Sequence, residues 1–282
     1  LVIMKTQSRL EKVFAAGHIA VTSECGPPRG CNADTVREKA AYLKDHVDAC
    51  NVTDNQTAMV RMSSFAAAAI IKQMGIEPVL QMVTRDRNRI AMQSDILGAY
   101  AHGIDTMLCL SGDHPKFGDH PMANGVYDLD SVQLIQTVKQ MREEEKFQGG
   151  ADIKGGAPKM FIGAAANPFA DPFELRVMRL AKKVAAGVDF VQTQCIFNLD
   201  KFETWMKGVC DRGLHEKVHV MAGITPMKSV GMARYMKNKV PGMDVPDEII
   251  KRLQGAEKGK VADVGIEIAC EQIEEFKEME GV

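Results

Sequence analysis

The 282-residue sequence predicts an α/β fold, a (β/α)8 TIM-type barrel whose eighth strand is absent from this chain. Three observations carry that expectation. Short apolar runs rich in β-branched residues alternate with longer segments of helical period, and seven such β-then-α units imply a parallel sheet, because each crossover must pass over a face of it. Polar residues recur at the carboxyl ends of nearly every strand (Glu24, Thr53–Asp54, Gln81, Asp113, Asn167 and Gln194), where a barrel builds its site. An open doubly wound sheet would gather them at one switch point, and neither a GxGxxG turn nor a GxxxxGK[ST] loop is present.

In chain order, the strands are expected at His18–Glu24, Ala49–Asp54, Pro78–Thr84, Thr106–Ser111, Lys159–Ala164, Phe190–Phe197 and His219–Ile224. Between them, apolar residues at i, i+3 and i+4 predict helices. The first runs Asp34–Val47 with Asp34 or Thr35 as N-cap, and the second Ser63–Met74 closed by Gly75. Arg87–Ala101, Asp130–Glu144, Pro172–Ala186 and Leu199–Cys210 continue the rhythm. After the seventh strand only helical segments follow, at Lys228–Lys237, Asp247–Gln254 and Val261–Met279, leaving an open parallel edge for something else to cover. The whole of 1–282 reads as one barrel domain.

Composition narrows the function classes. Lys plus Arg is 35 and Asp plus Glu is 37, a net charge of −2 that argues against a chain dominated by phosphate-backbone contacts with nucleic acid. No apolar run approaches the ~20 residues of a membrane span. Seven cysteines, scattered and without a CxxC pair, fit a reducing cytoplasm.

Two carboxylates stand out. Glu24 ends a buried-looking strand ahead of Gly-Pro-Pro, so partial desolvation would raise its pKa and suit it to proton donation; a rim salt bridge is the other reading. Asp113 ends Leu-Ser-Gly-Asp, and Gly112 beside it would let a flat ligand approach the backbone; a turn cap is the other reading. His114 and His120 sit in a loop with Pro after each, a poor metal cage, so no metal site is expected. No Ser lies in GxSxG, and covalent acyl transfer has no support.

Six motifs fall in one order: Ser-Glu with Pro-Pro-Arg following, Asn-Val-Thr, Leu-Ser-Gly-Asp, Lys-Lys-Val-x-Ala-Gly, Thr-Gln before a hydrophobic pair, and Gly-Ile-x-Pro. Together they resemble the methylenetetrahydrofolate reductase family of flavin-bearing barrels, over roughly Lys5 to Glu280. The resemblance implies reduction of 5,10-methylenetetrahydrofolate to 5-methyltetrahydrofolate in one-carbon metabolism. It makes Glu24 the general acid, Asp113 the aspartate beside flavin and pterin, and Gln194 the amide that reads the pterin. Thr53, Gly112, Tyr127 and Lys183 match flavin-contacting positions. Gln81 and Asn167 stand where the family often has His, and Ser111 where it often has Arg, departures that keep FMN open beside FAD. Val230 replaces the Phe that stacks on nicotinamide in NADH-using members. That change and the missing strand resemble the anaerobic branch, in which a partner subunit carrying iron–sulfur clusters or flavin delivers electrons within a larger oligomer. Two other functions fit the same residues less well: a folate-binding barrel methyltransferase without flavin, and a non-catalytic docking subunit.

Overall fold

The computed structural model describes residues 4–282. Seven strands stand in chain order: β1 Thr22–Glu24, β2 Ala49–Val52, β3 Pro78–Val83, β4 Thr106–Leu110, β5 Phe161–Ala166, β6 Phe190–Cys195 and β7 His219–Gly223. Helices alternate with them: α1 Arg9–Ala15, α2 Ala33–Ala41, α3 Ser64–Gln73, α4 Arg89–Ala101, α5 Ser131–Glu143, α6 Leu175–Ala186 and α7 Leu199–Cys210. After β7 come α8 Val230–Lys239, α9 Asp247–Gln254 and α10 Val261–Lys277, and no eighth strand occurs among the described residues. The fold is thus the (β/α) barrel type lacking its last strand. None of the described helices is long and apolar enough to cross a membrane.

The chain divides into two compact units, one reaching to Ala164 with Ala186–Val188, the other comprising Ala165–Ala185 and Asp189–Val282. In the first, β1 to β5 pair in parallel, with Glu24 opposite Asn51, Asn51 opposite Val79, and Gln81 opposite Leu108. All four residues of β2 are buried, as a strand covered on both faces requires. Leu80, Met107, Ile71, Ile96 and Leu134 of the same unit are fully buried. At the amino ends of the strands, buried Glu77 accepts hydrogen bonds from Ser8 Oγ (2.7 Å), Arg9 N (2.5 Å), Leu10 N (3.2 Å) and Thr106 Oγ1 (2.8 Å). It thereby holds the first turn of α1, whose free N–H groups favour a carboxylate.

In the second unit β6 pairs in parallel with β7, with an irregularity between Gln192 and Cys195. Phe202 stacks on Trp205 (centroids 5.7 Å apart) and meets Phe276 edge-on (5.6 Å), fastening α10 to α7. All three rings are buried, each worth roughly 2–3 kcal/mol of apolar burial. Phe197, Met227, Val245, Leu253 and Ile268 form a core among α8, α9 and α10, against which Val230 packs.

Several boundaries differ from the sequence expectation for local reasons. β1 begins at Thr22 instead of His18, because Val21 N donates to Asp48 Oδ2 and Val21 O accepts from Asp48 N, a turn-like clasp. The N-cap of α2 is Asn32, whose side chain accepts from Asp34 N, in place of Asp34 or Thr35, and the helix ends at Ala41. β5 runs Phe161–Ala166 instead of 159–164, since Met160 N bonds back to Pro158 O in a turn. α6 starts at Leu175, three residues after Pro172, whose carbonyl accepts from Leu175 N. α1 was not anticipated.

Candidate functional site

The loops after β1 to β4 form the chemistry-bearing edge of the first unit. Glu24 is the last residue of β1, and Cys25 N bonds to Asn51 O, so the ladder holds the turn that follows. Pro27 and Pro28 then stiffen the loop, Lys39 Nζ donates to Gly26 O (3.1 Å) and Arg61 Nη1 to Pro27 O (3.0 Å). Gly26 marks where three polar side chains converge: a Cβ placed there would lie in van der Waals contact with Glu24 Oε1 (3.5 Å), Thr53 Oγ1 (3.6 Å) and Gln56 Oε1 (4.0 Å). Thr53 is 4% exposed and its hydroxyl has no hydrogen-bond partner, an orphaned polar atom next to Gly26. Burial pushes the Glu24 carboxyl up, outweighing the nearby cations Arg61 and Lys39, which pull it down. The side chain is nonetheless reachable from solvent at the strand end. A carboxyl group whose pKa is pushed up by burial, at a strand end that solvent reaches, is suited to giving a proton to a ligand.

The β3 and β4 ends are tied by one residue that the sequence reading passed over. Arg85 is buried (3% exposed) and divides its guanidinium three ways: Nη1 to Asp113 O (3.0 Å), Nη2 to Asn55 O (3.1 Å), and Nε and Nη2 to the Asp86 carboxylate (2.7 Å each). Burial opposes the charge on Asp86, but the hydrogen bonds from Arg85 and Asn55 hold its carboxyl below the usual range. The guanidinium thus fixes the backbone on which Asp113 is mounted. Its signal was the Arg-Asp-Arg run directly after an apolar strand. The second arginine of that run, Arg87, pairs with buried Asp54 (2.7 Å), whose other contact is Val83 N (2.9 Å).

Gly112 has φ +85°, and a Cβ there would meet Val83 Cβ at 3.0 Å and Arg85 Cβ at 3.4 Å, so only glycine lets the chain turn at this point. Asp113 follows it, exposed at the strand end, and its carbonyl also accepts from Tyr127 Oη (3.4 Å). Ser111 Oγ accepts from Ser131 N at the start of α5 (3.2 Å). Gln81 lies within β3, half-buried and two residues short of the strand's end, not at the carboxyl end where the sequence placed it.

In the second unit, Asn167, Lys183 and Gln194 come together. They line a cavity of about 220 Å³ with Arg176, Arg179 and Trp205. Lys183 Nζ donates to Ala165 O, Asn167 Oδ1 accepts from Phe169 N (3.3 Å), and Gln194 is exposed near the end of β6. Arg176 is braced on the carbonyls of Asp171 and Pro172, while Arg179 makes no ion pair among the described residues. Three cations one and two turns apart on α6 make this cavity suited to an anion. Arg176 and Arg179 also went unremarked in the sequence, although their spacing from Lys183 showed one basic helical face.

The family model described as methylenetetrahydrofolate reductase matches residues 9–282. A Caenorhabditis elegans protein named probable methylenetetrahydrofolate reductase (NADPH) is 24% identical over 195 residues, 69% of this chain and 27% of that one. Methylenetetrahydrofolate reductase 2 of Schizosaccharomyces pombe is 24% identical over 231 residues, 79% of this chain and 34% of its own length. The chain therefore aligns to about a quarter to a third of those relatives. Among solved structures, a Clostridium thermocellum protein described as binding two copies of 5-methyl-5,6,7,8-tetrahydrofolic acid superposes with a TM-score of 0.62 at 13% identity, over 96% of this chain and 88% of that one. Oxaloacetate acetylhydrolase gives 0.51 at 9% identity, over 97% and 99%, a likeness of fold alone. With a match that runs from α1 to the last residue, the chain belongs to the methylenetetrahydrofolate reductase family.

Proposed function

We propose that this chain reduces 5,10-methylenetetrahydrofolate to 5-methyltetrahydrofolate with a bound flavin, as the catalytic subunit of a larger complex. The observation that carries the reading is Glu24, exposed at the end of β1, its carboxyl pushed up by burial and its Oε1 grouped around Gly26 with the unsatisfied hydroxyl of Thr53. Family membership and the methyltetrahydrofolate named in the Clostridium thermocellum structure support it.

The residues present fit a flavin nucleotide. Thr53 Oγ1 is a buried polar atom in need of a partner, and Gly112 exposes backbone at the β4 end. Tyr127 offers an aromatic side chain anchored on the Asp113 carbonyl. Gln81, Ser111 and Asn167 occupy the remaining positions expected to contact flavin. In the second unit, Arg176, Arg179 and Lys183 line one cavity and make a cationic set suited to a phosphate group; the flavin is read as FAD, with FMN as the alternative. When bound, the flavin supplies the hydride.

The chain's own residues would do the rest. Glu24 delivers its proton to N10 of the folate as the bond from N10 to the bridging carbon breaks, the electron pair staying on nitrogen. The bridging carbon becomes an N5-iminium, a cation that ionised Asp113 stabilises from the rigid Gly112 turn. Gln194 offers donor and acceptor to the pterin edge. Strand-end walls and the loop from Gly112 to Tyr127 keep water from the iminium until reduction occurs. Val230, packed against the α8–α10 core, is an aliphatic side chain and gives nicotinamide no aromatic face, so electrons are expected from a partner protein with iron–sulfur clusters or flavin.

The test is purification followed by flavin typing and anaerobic mixing of the photoreduced protein with 5,10-methylenetetrahydrofolate. Flavin reoxidation with formation of 5-methyltetrahydrofolate supports the reading. A chain that stays colourless after supplementation with FMN and FAD, yet binds folate, would instead be a flavin-free folate-binding barrel.

A further inference from the structure

Among the described residues, one group of three metal-ligating side chains gathers outside the site above. Cys210 Sγ, His215 and the Glu280 carboxylate bring their ligand atoms within 4.8 Å of one another, in the second unit and from positions up to 70 residues apart. We propose that Cys210, His215 and Glu280 form a site for a divalent, borderline-soft cation of the Zn²⁺ class, with water in the fourth position.

Three features of the packing argue for a built site. The edge-on contact of Phe276 with Phe202 docks the end of α10 beside the end of α7, where Cys210 is the last helical residue. Gly281 has φ +85°, and a Cβ there would meet His215 Cβ at 2.9 Å and Cys210 Sγ at 3.3 Å, so glycine is what lets the chain bring Glu280 this close. Cys210 Sγ already reaches the Glu280 carbonyl at 3.7 Å.

The donor chemistry agrees. His215 Nε2 lies 3.9 Å from Glu280 Oε1, and its Nδ1 is buried without a hydrogen-bond partner, so no strong protein contact competes for the ring. Tetrahedral zinc needs ligand atoms roughly 3.5 Å apart, within reach of a small rotation of the Glu280 side chain, which is 82% exposed. A thiolate, a carboxylate and a neutral imidazole sum to −2 and neutralise the ion. Sulfur and nitrogen donors disfavour Mg²⁺ and Ca²⁺. A cysteine binds such a cation as the thiolate, so binding releases a proton and strengthens as pH rises. Cys210 and His215 lie close together at the end of α7 and in the turn after it, whereas Glu280 lies near the last residue, so no single local motif spans the set.

The experiment uses the full chain stripped with a chelator and titrated anaerobically with Co²⁺ as the probe, then with Zn²⁺. Expected are saturation at about one equivalent, a thiolate-to-cobalt charge-transfer band with intense tetrahedral d–d absorption, displacement by Zn²⁺, and a higher melting temperature with Zn²⁺. Loss of an outer-shell partner alone costs about 10–100-fold in affinity, so His215→Gln and Cys210→Ser should each weaken binding by more than ~100-fold, and Cys210→Ser should abolish the charge-transfer band. A double Ser variant of exposed Cys31 and Cys270 should bind normally. Absence of a saturable band in the parent chain, or its persistence in Cys210→Ser, overturns the proposal. Should Cys210→Ser fail to fold, a band lost in the Cys31/Cys270 variant or kept in His215→Gln would overturn it equally.

Discussion

Asp105 lies at the amino end of β4, opposite the end that carries Glu24 and Asp113, and is expected to cost stability at neutral pH. Burial and the nearby carboxylate of Glu77 push its carboxyl up to about 6 from 3.8, with Lys72 and Lys12 only partly compensating. Its Oδ1 is buried without a hydrogen-bond partner, whereas the Glu77 side chain accepts four hydrogen bonds. The folded-state pKa is raised, so the protonated form favours folding: that contribution is full below pH ~4 and lost as the pH climbs through about 6. The shift of about two pKa units corresponds to roughly 3 kcal/mol, reduced to about 2 kcal/mol because the side chain retains partial solvent contact. Asp105→Asn should therefore stabilise the chain by about 2 kcal/mol at pH 8 and by almost nothing at pH 4. Urea unfolding of both proteins at the two pH values measures this, and turnover should be unchanged because the residue sits on the stability end of the strands. Equal stabilities at pH 8, or a larger gain at pH 4, would refute the reasoning.

Two other outcomes concern the proposed chemistry. Asp113→Asn should raise the flavin midpoint potential and slow folate reduction, since it removes negative charge that opposes the reduced flavin and supports the iminium; a potentiometric titration without an upward shift would place Asp113 away from the ring system. NADH alone should bleach the flavin slowly in anaerobic stopped flow while reduced viologen bleaches it fast, because Val230 lacks the flat π-face worth ~1 kcal/mol; bleaching by NADH at the rate of turnover would return the protein to the nicotinamide-using branch.

Periodicity made the architecture legible because seven strands of a parallel sheet are nearly uniform apolar runs, and β6, α7 and α9 show how far that carries: α7 and α9 begin and end where the spacing put them. What escaped was set by side-chain clasps and turns. Asp48 closes β1 early, and Asn32 caps α2 two residues ahead of Asp34; neither bond is written in a hydrophobic pattern. Glu24 and Asp113 were visible because each follows an apolar run and stands within two residues of a glycine. Arg85 was not, since a charged residue after a strand reads as exposed until its three acceptors, Asn55, Asp86 and Asp113, are seen to converge on it. Arg176 and Arg179 were likewise read as solvated helix surface. Cys210 and Glu280 lie too far apart in the chain for any spacing rule to pair them.

The proposed reduction depends on Glu24 as the proton donor. Single-turnover reduction of 5,10-methylenetetrahydrofolate by the prereduced protein, parent against Glu24→Gln, tests it most directly, with flavin content and its reduction by viologen as controls. The amide keeps the shape without the proton, so the rate should fall by ~10²–10⁴ while both controls hold. A Glu24→Gln protein that reduces the folate within a few-fold of the parent would contradict the assignment.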